Sequence, residues 1–141
     1  MLKKFKKTFD QKGYFIIKNI FSKNFIESLL LEIDVVKDAN YYYDNKNKLR
    51  RIEKLYDKGE NLKKINNLIL KKLFDIFEKK FFIFKDKFNA KPPGGNGFFP
   101  HFDGIFKFRD DKNTIKKGWY EYGDFFVNTL IALDDCTKEN G

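Results

Sequence analysis

His101 is the only histidine in the chain, and Asp103 follows it by two residues. In an extended segment alternate side chains share one face, so these two are expected to point the same way, roughly 6.6 Å apart along the backbone. An imidazole nitrogen and a carboxylate oxygen are two of the three ligands in the 2-His-1-carboxylate set that binds non-haem Fe(II). The pair therefore indicates part of an iron site, and this sequence contains no second histidine to complete the set.

The segment before His101 is rich in glycine and proline. Its glycines are Gly94, Gly95 and Gly97, and no Gly-Lys-Ser/Thr ending follows them. A phosphate-binding loop needs that ending, so the pattern predicts a flexible turn instead.

Two helices and three strands are predicted around this segment. Apolar residues recur at helical spacing over residues 23 to 37, after a possible Ser22 N-cap, and again over residues 60 to 79. Aromatic and β-branched runs predict strands over residues 14 to 17, 81 to 88 and 125 to 133.

The polar segment from residue 38 to 59 reads as a loop with short pieces of structure. It contains Tyr41, Tyr42 and Tyr43, followed by Arg50 and Arg51. Two interpretations stay open for this cluster. In the first, the tyrosines and arginines contact an anionic substrate. In the second, which we favour, the tyrosines pack at the rim of a core and the arginines are solvated.

Composition limits the class of protein. A chain of 141 residues fits one domain, and its single cysteine excludes an internal disulfide framework and a multi-cysteine zinc site. The net charge is +9, but the lysines are dispersed and the arginines few, so we predict no nucleic-acid partner. No apolar run approaches the ~18 residues of a membrane span, and we predict a cytoplasmic protein without a membrane partner.

The order of the predicted elements favours a mainly β protein with N-terminal helices, that is, an α+β fold. We expect a single domain over residues 1–141. Residues 1–80 would form a helical layer, and residues 81–141 would supply the first strands of a β domain.

Three segments resemble the phytanoyl-CoA dioxygenase-like family of Fe(II)/2-oxoglutarate-dependent oxygenases. They are Gly13-Tyr-Phe-Ile-Ile-Lys-Asn-Ile-Phe-Ser22, Lys91-Pro-Pro with Pro100-His-Phe-Asp103, and Asn128-Thr-Leu-Ile-Ala-Leu-Asp-Asp with the closing Asn140-Gly141. Each segment alone is a weak signal, whereas their order and spacing together are specific for the family.

The resemblance implies a double-stranded β-helix, a jelly-roll or cupin-like fold, with helices packed outside one sheet. It implies that His101 and Asp103 bind Fe(II), and that 2-oxoglutarate and O2 take part in hydroxylating a small-molecule substrate. Asn128 and Leu130 correspond to a strand that lines the co-substrate pocket in the family, although Asn128 could equally be an ordinary strand residue. Lys91 could face the acidic co-substrate or be a surface lysine.

The chain departs from the family pattern in two respects. The family has a second histidine ligand downstream of the Asn-Gly turn and then an arginine that pairs with 2-oxoglutarate. Here His101 is the only histidine, and Arg109 is the only arginine after residue 51. We therefore expect the N-terminal portion of an oxygenase domain with an incomplete β-helix. The alternative is a catalytically inactive remnant or binding module on the same fold.

Overall fold

The computed structural model describes residues 2–94, 100–101, 103–104 and 106–139. The chain divides into two compact units, Met1–Gly95 and Asn96–Gly141. The first unit holds the helices and a three-stranded sheet, and the second holds a two-stranded sheet.

The first unit contains three helices, α1 (Leu2–Lys12), α2 (Lys23–Asp34) and α3 (Glu60–Phe77). The two predicted helices are confirmed as α2 and α3, each ending two or three residues earlier than predicted. Ser22 caps α2 as expected, because its side chain accepts a hydrogen bond of 3.3 Å from the backbone N–H of Phe25. Helix α1 was not predicted.

The hydrophobic core of the first unit lies between α2, α3 and one strand of its sheet. Its buried apolar residues are Leu29, Ile33, Ile52, Leu55, Leu62, Ile65, Leu73, Ile76 and Phe77. On α2 and α3 these residues are three, four or eight positions apart, except for the adjacent Ile76 and Phe77, so one stripe of each helix faces the core.

An aromatic cluster attaches α1 to this core. Phe5 and Phe9 of α1 lie 5.2 and 6.1 Å, between ring centroids, from Phe15, and Phe9 lies 5.0 Å from Phe77 of α3. The strand predicted over residues 14 to 17 is wrong, because no sheet includes it. Its apolar alternation serves the aromatic cluster instead, with Phe15 turned inward while Tyr14 and Ile16 are exposed.

The sheet of the first unit is antiparallel and consists of β1 (Asn40–Tyr43), β2 (Leu49–Glu53) and β3 (Lys87–Asn89), in that order. Ile52 of β2 pairs with Tyr41 on one side and Phe88 on the other. The strand predicted over residues 81 to 88 is therefore confirmed only at its end, since only residues from 87 onward pair with β2.

The tyrosine and arginine cluster falls on β1 and β2. The Arg51 guanidinium lies 4.4 Å from the centre of the Tyr42 ring, and its Nε lies 3.0 Å from Oε1 of the buried Glu53. Lys85 Nζ lies 3.1 Å from the same oxygen. Arg51 is thus engaged by a carboxylate of its own unit, which favours the packing interpretation over contact with an anionic substrate, although Arg51 is not simply solvated.

The second unit contains the hairpin of β4 (Lys107–Arg109) and β5 (Ile115–Lys117), followed by a short 3-10 helix, Gly118–Glu121. The strand predicted over residues 125 to 133 is wrong, because no strand is assigned there. A strand requires a hydrogen-bonded neighbour, and no described segment pairs with these residues.

The fold is mixed α+β, as predicted. The described strands are three to five residues long and the helices 11 to 18, so the expectation of a mainly β protein is not met. The two sheets are small, antiparallel and not closed into a barrel. Among the described residues, none of the helices has both the length and the apolar character that a membrane crossing requires.

Candidate functional site

His101 and Asp103 lie together in the second unit. His101 Nε2 is 3.4 Å from Asp103 Oδ1. The backbone turns at Asp103 and Gly104, and Gly104 has a φ of +82°. A turn of this kind favours glycine, because a side chain is strained at positive φ. The two side chains therefore meet at a turn, and not through the strand alternation from which the sequence predicted their proximity.

Asn128 joins the same cluster from a distant part of the chain. Its Nδ2 donates a hydrogen bond of 3.2 Å to Asp103 Oδ2. The two oxygens of Asp103 therefore have different partners: Oδ1 faces His101, and Oδ2 accepts the hydrogen bond from Asn128. Three of the residues singled out from the sequence are brought together, and we refer to them as the His-Asp-Asn cluster.

The His-Asp-Asn cluster is open to solvent. The side chains of His101 and Asp103 are 61% and 48% exposed. A polar contact at such exposure contributes little to stability, because water competes for both groups. The cluster therefore does little for the fold, and its donor atoms are accessible to a ligand from solution.

The distance between His101 Nε2 and Asp103 Oδ1 is short enough for both atoms to bind one metal ion. Bonds of about 2.1 Å from nitrogen and oxygen to a first-row metal can span donors up to ~4.2 Å apart, and the observed 3.4 Å lies within that limit. A neutral imidazole and a carboxylate are also the donor types that non-haem iron takes. Within the described part of the chain, no group of three His, Cys, Asp or Glu side chains converges on one point.

The other two predicted site residues are placed differently. Leu130 belongs to the second unit, and its side chain is 94% exposed. Lys91 belongs to the first unit and is exposed. Gly94 lies in a turn with a φ of +73°. Gly95 and Gly97 of the predicted turn, and the Asn140-Gly141 motif, lie outside the described residues.

The residues that support the cluster were not predicted from the sequence. Gly104 and Gly118 are the buried ones among the described residues of the second unit, and the half-buried Trp119 packs against Gly104. The Trp119 ring also contacts Phe126, with 5.6 Å between ring centroids. Both glycines have a positive φ, a conformation that favours glycine. The sequence shows the two glycines but not their φ, so their role could not be predicted from it.

A cavity of about 450 Å³ in the first unit offers no comparable chemistry. Its charged lining residues include Glu53, Lys85 and Asp86. Glu53 is paired with Arg51 and Lys85, and Asp86 Oδ2 accepts a hydrogen bond of 2.6 Å from the backbone N–H of Leu55. These groups hold the unit together, so the His-Asp-Asn cluster is the stronger candidate site.

Comparison with known proteins gave no relative: no family model, no curated protein and no solved structure matched this chain. The candidate site therefore rests on its own residues and geometry.

Proposed function

We propose that this chain is the N-terminal portion of an Fe(II)/2-oxoglutarate-dependent dioxygenase of the phytanoyl-CoA dioxygenase family, acting on a small-molecule substrate. The observation that supports this best is the hydrogen bond from Asn128 to Asp103, because it joins the His101–Asp103 pair to a segment 25 residues away. Both segments belong to those that resemble the family in sequence.

Each residue of the cluster has a defined task in this proposal. His101 Nε2 and Asp103 Oδ1 bind the metal. Asn128 holds Asp103 Oδ2, so the carboxylate is oriented and offers a single oxygen to the metal. Groups that hydrogen-bond to a ligand carboxylate commonly fix its orientation and tune affinity. Iron bound there with 2-oxoglutarate and O2 would supply the hydroxylating chemistry.

The proposal requires two further groups, a second histidine ligand and an arginine for 2-oxoglutarate. Since His101 is the only histidine in this sequence, we propose that both groups belong to a further part of the same protein. The remaining strands of the double-stranded β-helix would come from there as well. In that arrangement, the exposed Leu130 of the second unit remains a candidate for contact with the co-substrate.

Metal binding is tested first through the single histidine. One histidine gives one set of imidazole NMR signals. Broadening of these signals by paramagnetic Mn(II) can therefore be assigned to His101 without ambiguity. We expect Mn(II) to broaden the His101 signals saturably, and Asp103→Asn to weaken this binding at least tenfold. Asp111→Asn, at an exposed turn of the same unit, is the matched control. Equal broadening in wild type and Asp103→Asn would exclude the site.

Catalysis is tested separately by succinate formation from 2-oxoglutarate with Fe(II) and ascorbate. We expect none from the 141-residue chain, and turnover from a longer reading frame that adds a histidine and an arginine. A longer protein that binds the metal yet forms no succinate would favour the alternative, a non-catalytic binding module. That alternative draws support from the lack of a third ligand in the described cluster.

A further inference from the structure

Trp119 lies between the two segments that form the His-Asp-Asn cluster. Its backbone N–H donates a hydrogen bond of 3.2 Å to the carbonyl oxygen of Gly104, the residue after Asp103. Its ring covers Gly104 so closely that a Cβ added there would lie 3.1 Å from Cε3. On the other side, its ring centroid is 5.6 Å from that of Phe126, two residues before Asn128.

Gly118 brings the Trp119 backbone against the turn. It is buried, its φ is +65°, and a Cβ built on it would lie 1.8 Å from the carbonyl oxygen of Gly104. Any side chain at this position must displace the turn, since backbone atoms cannot yield as a flexible side chain can. The close approach of the two glycines therefore fixes the distance between Trp119 and the Asp103-Gly104 turn.

Little else in the described part of the second unit is buried. Its buried positions are Gly104 and Gly118, neither of which has a side chain, and Trp119 and Phe126 are half-buried. Within the described residues of this unit, no buried apolar side chain links Asp103 to Asn128. The indole ring contacts both segments and supplies that link.

We propose that Trp119 is a positioning residue that holds the Asp103-Gly104 turn and the Asn128 segment in the register that forms the His-Asp-Asn cluster. Its effect on the Asp103–Asn128 hydrogen bond depends only on the geometry. Its effect on metal binding rests on the proposed function. Removal of groups that orient a metal ligand commonly lowers metal affinity by about 10–100-fold, and we expect a loss of that order without Trp119.

The test compares Trp119→Ala and Trp119→Phe with Tyr120→Ala. Tyr120 is the matched control, because it is the next residue of the same 3-10 helix and is 65% exposed. The first measurement is the chemical shift of the Asn128 carboxamide NH2, which reports its hydrogen bond without metal. The second is the Mn(II) affinity read at His101. Backbone amides of β4 and β5 report whether the hairpin stays folded.

We expect Trp119→Ala to move the Asn128 carboxamide to the shift of a solvated amide and to lower Mn(II) affinity at least tenfold. Trp119→Phe should restore most of both signals, and Tyr120→Ala should match wild type. An unchanged Asn128 carboxamide shift and an unchanged Mn(II) affinity in Trp119→Ala would contradict the inference. An equally large loss in Tyr120→Ala would contradict it as well.

A second variant covers the case in which Trp119→Ala unfolds the hairpin. Phe126→Ala removes only the far side of the aromatic contact, and we expect it to release Asn128 while β4 and β5 stay paired. Unchanged Asn128 and Mn(II) signals in Phe126→Ala would overturn the inference. Failure of the proposed function looks different: wild type would not bind Mn(II) at His101, while Asn128 would still respond to the Trp119 variants.

Discussion

At the scale of single residues, Asp44 shows how one carboxylate closes a turn. Its Oδ1 accepts hydrogen bonds from the backbone N–H groups of Lys46 and Lys48, at 2.8 and 2.9 Å, between β1 and β2. The bond from Lys48 chiefly, with that from Lys46, holds the pKa of Asp44 below its ordinary value of 3.8. Asp110 closes the β4–β5 turn in the same way, through Lys112 and Thr114.

This lowered pKa predicts an acid-dependent contribution to stability. Because the folded pKa lies below the unfolded one, the contribution is present at pH values above about 4 and is lost as pH falls through the folded pKa. Asp44→Asn keeps an acceptor oxygen but cannot be protonated. We expect the variant to be less stable at pH 7 and the gap to wild type to narrow by pH 3, measured as thermal midpoints.

Asp57→Asn, at an exposed position of another turn, is the matched control for this series. Its midpoint should stay within experimental error of wild type, or show a smaller gap than Asp44→Asn at pH 7. A constant gap between Asp44→Asn and wild type from pH 7 to pH 3 would contradict the assignment.

Asp103 marks the limit of prediction at this scale. His101 and Asp103 were predicted to lie together because of strand alternation, and they do lie together, but at a turn. The hydrogen bond to Asn128 required knowledge of a contact across 25 residues, for which the sequence supplied only a family resemblance. The contribution of Gly118 was not predictable either, because it depends on a backbone approach that appears only in three dimensions.

At the scale of elements, α3 receives its N-terminal cap from another helix. Its N-cap residue is Gly59, which has no side chain to accept a hydrogen bond. Glu32 of α2 takes that place: Oε2 accepts from the backbone N–H of Asn61 at 3.0 Å, and Oε1 from that of Leu62 at 2.9 Å. One carboxylate therefore satisfies two of the free N–H groups of α3 and lies at the positive end of its dipole.

Removal of this cap should destabilise the first unit. We expect Glu32→Ala to lower the free energy of unfolding by about 1–2 kcal/mol, the usual cost of losing a helix cap. Glu32→Gln keeps one acceptor and should cost less. Glu27→Ala is the control on the same helix, since Glu27 is 59% exposed and lies 4.0 Å from Lys23. Urea unfolding measures all three, and equal values for Glu32→Ala and Glu27→Ala would contradict the cap.

Helices were predicted better than strands for a physical reason. Apolar residues at helical spacing identify α2 and α3 from their own segments alone. No knowledge of the element that each helix packs against is needed. Helix α1 was not predicted because its apolar residues, which include Phe5 and Phe9, are few and are separated by lysines and other polar residues. The strands over residues 14 to 17 and 125 to 133 failed because a strand exists only with a neighbour, and an aromatic run alone does not supply one.

At the scale of the whole molecule, stability and charge are divided unequally between the two units. In the part of the chain that the structure describes, nine apolar residues are buried, and all nine belong to the first unit. That unit also has 23 basic and 12 acidic residues, a net charge of +11, whereas the second has 6 and 8, a net charge of −2. The total of +9 conceals this division, and the residues proposed to bind the metal lie in the acidic unit.

This division predicts a gradient in hydrogen exchange along the chain. Amides open with a free energy that follows the local burial of apolar contacts, and Ile65, Leu73 and Ile76 of α3 are all at most 9% exposed. We expect the amides of α3 to exchange slowest, at the rate of global unfolding. The amides of β4 and β5 should exchange much faster, because no buried apolar side chain supports them in the described part of their unit. Exchange followed by mass spectrometry on the intact chain measures both, and equal protection of α3 and the hairpin would show that the two units unfold as one.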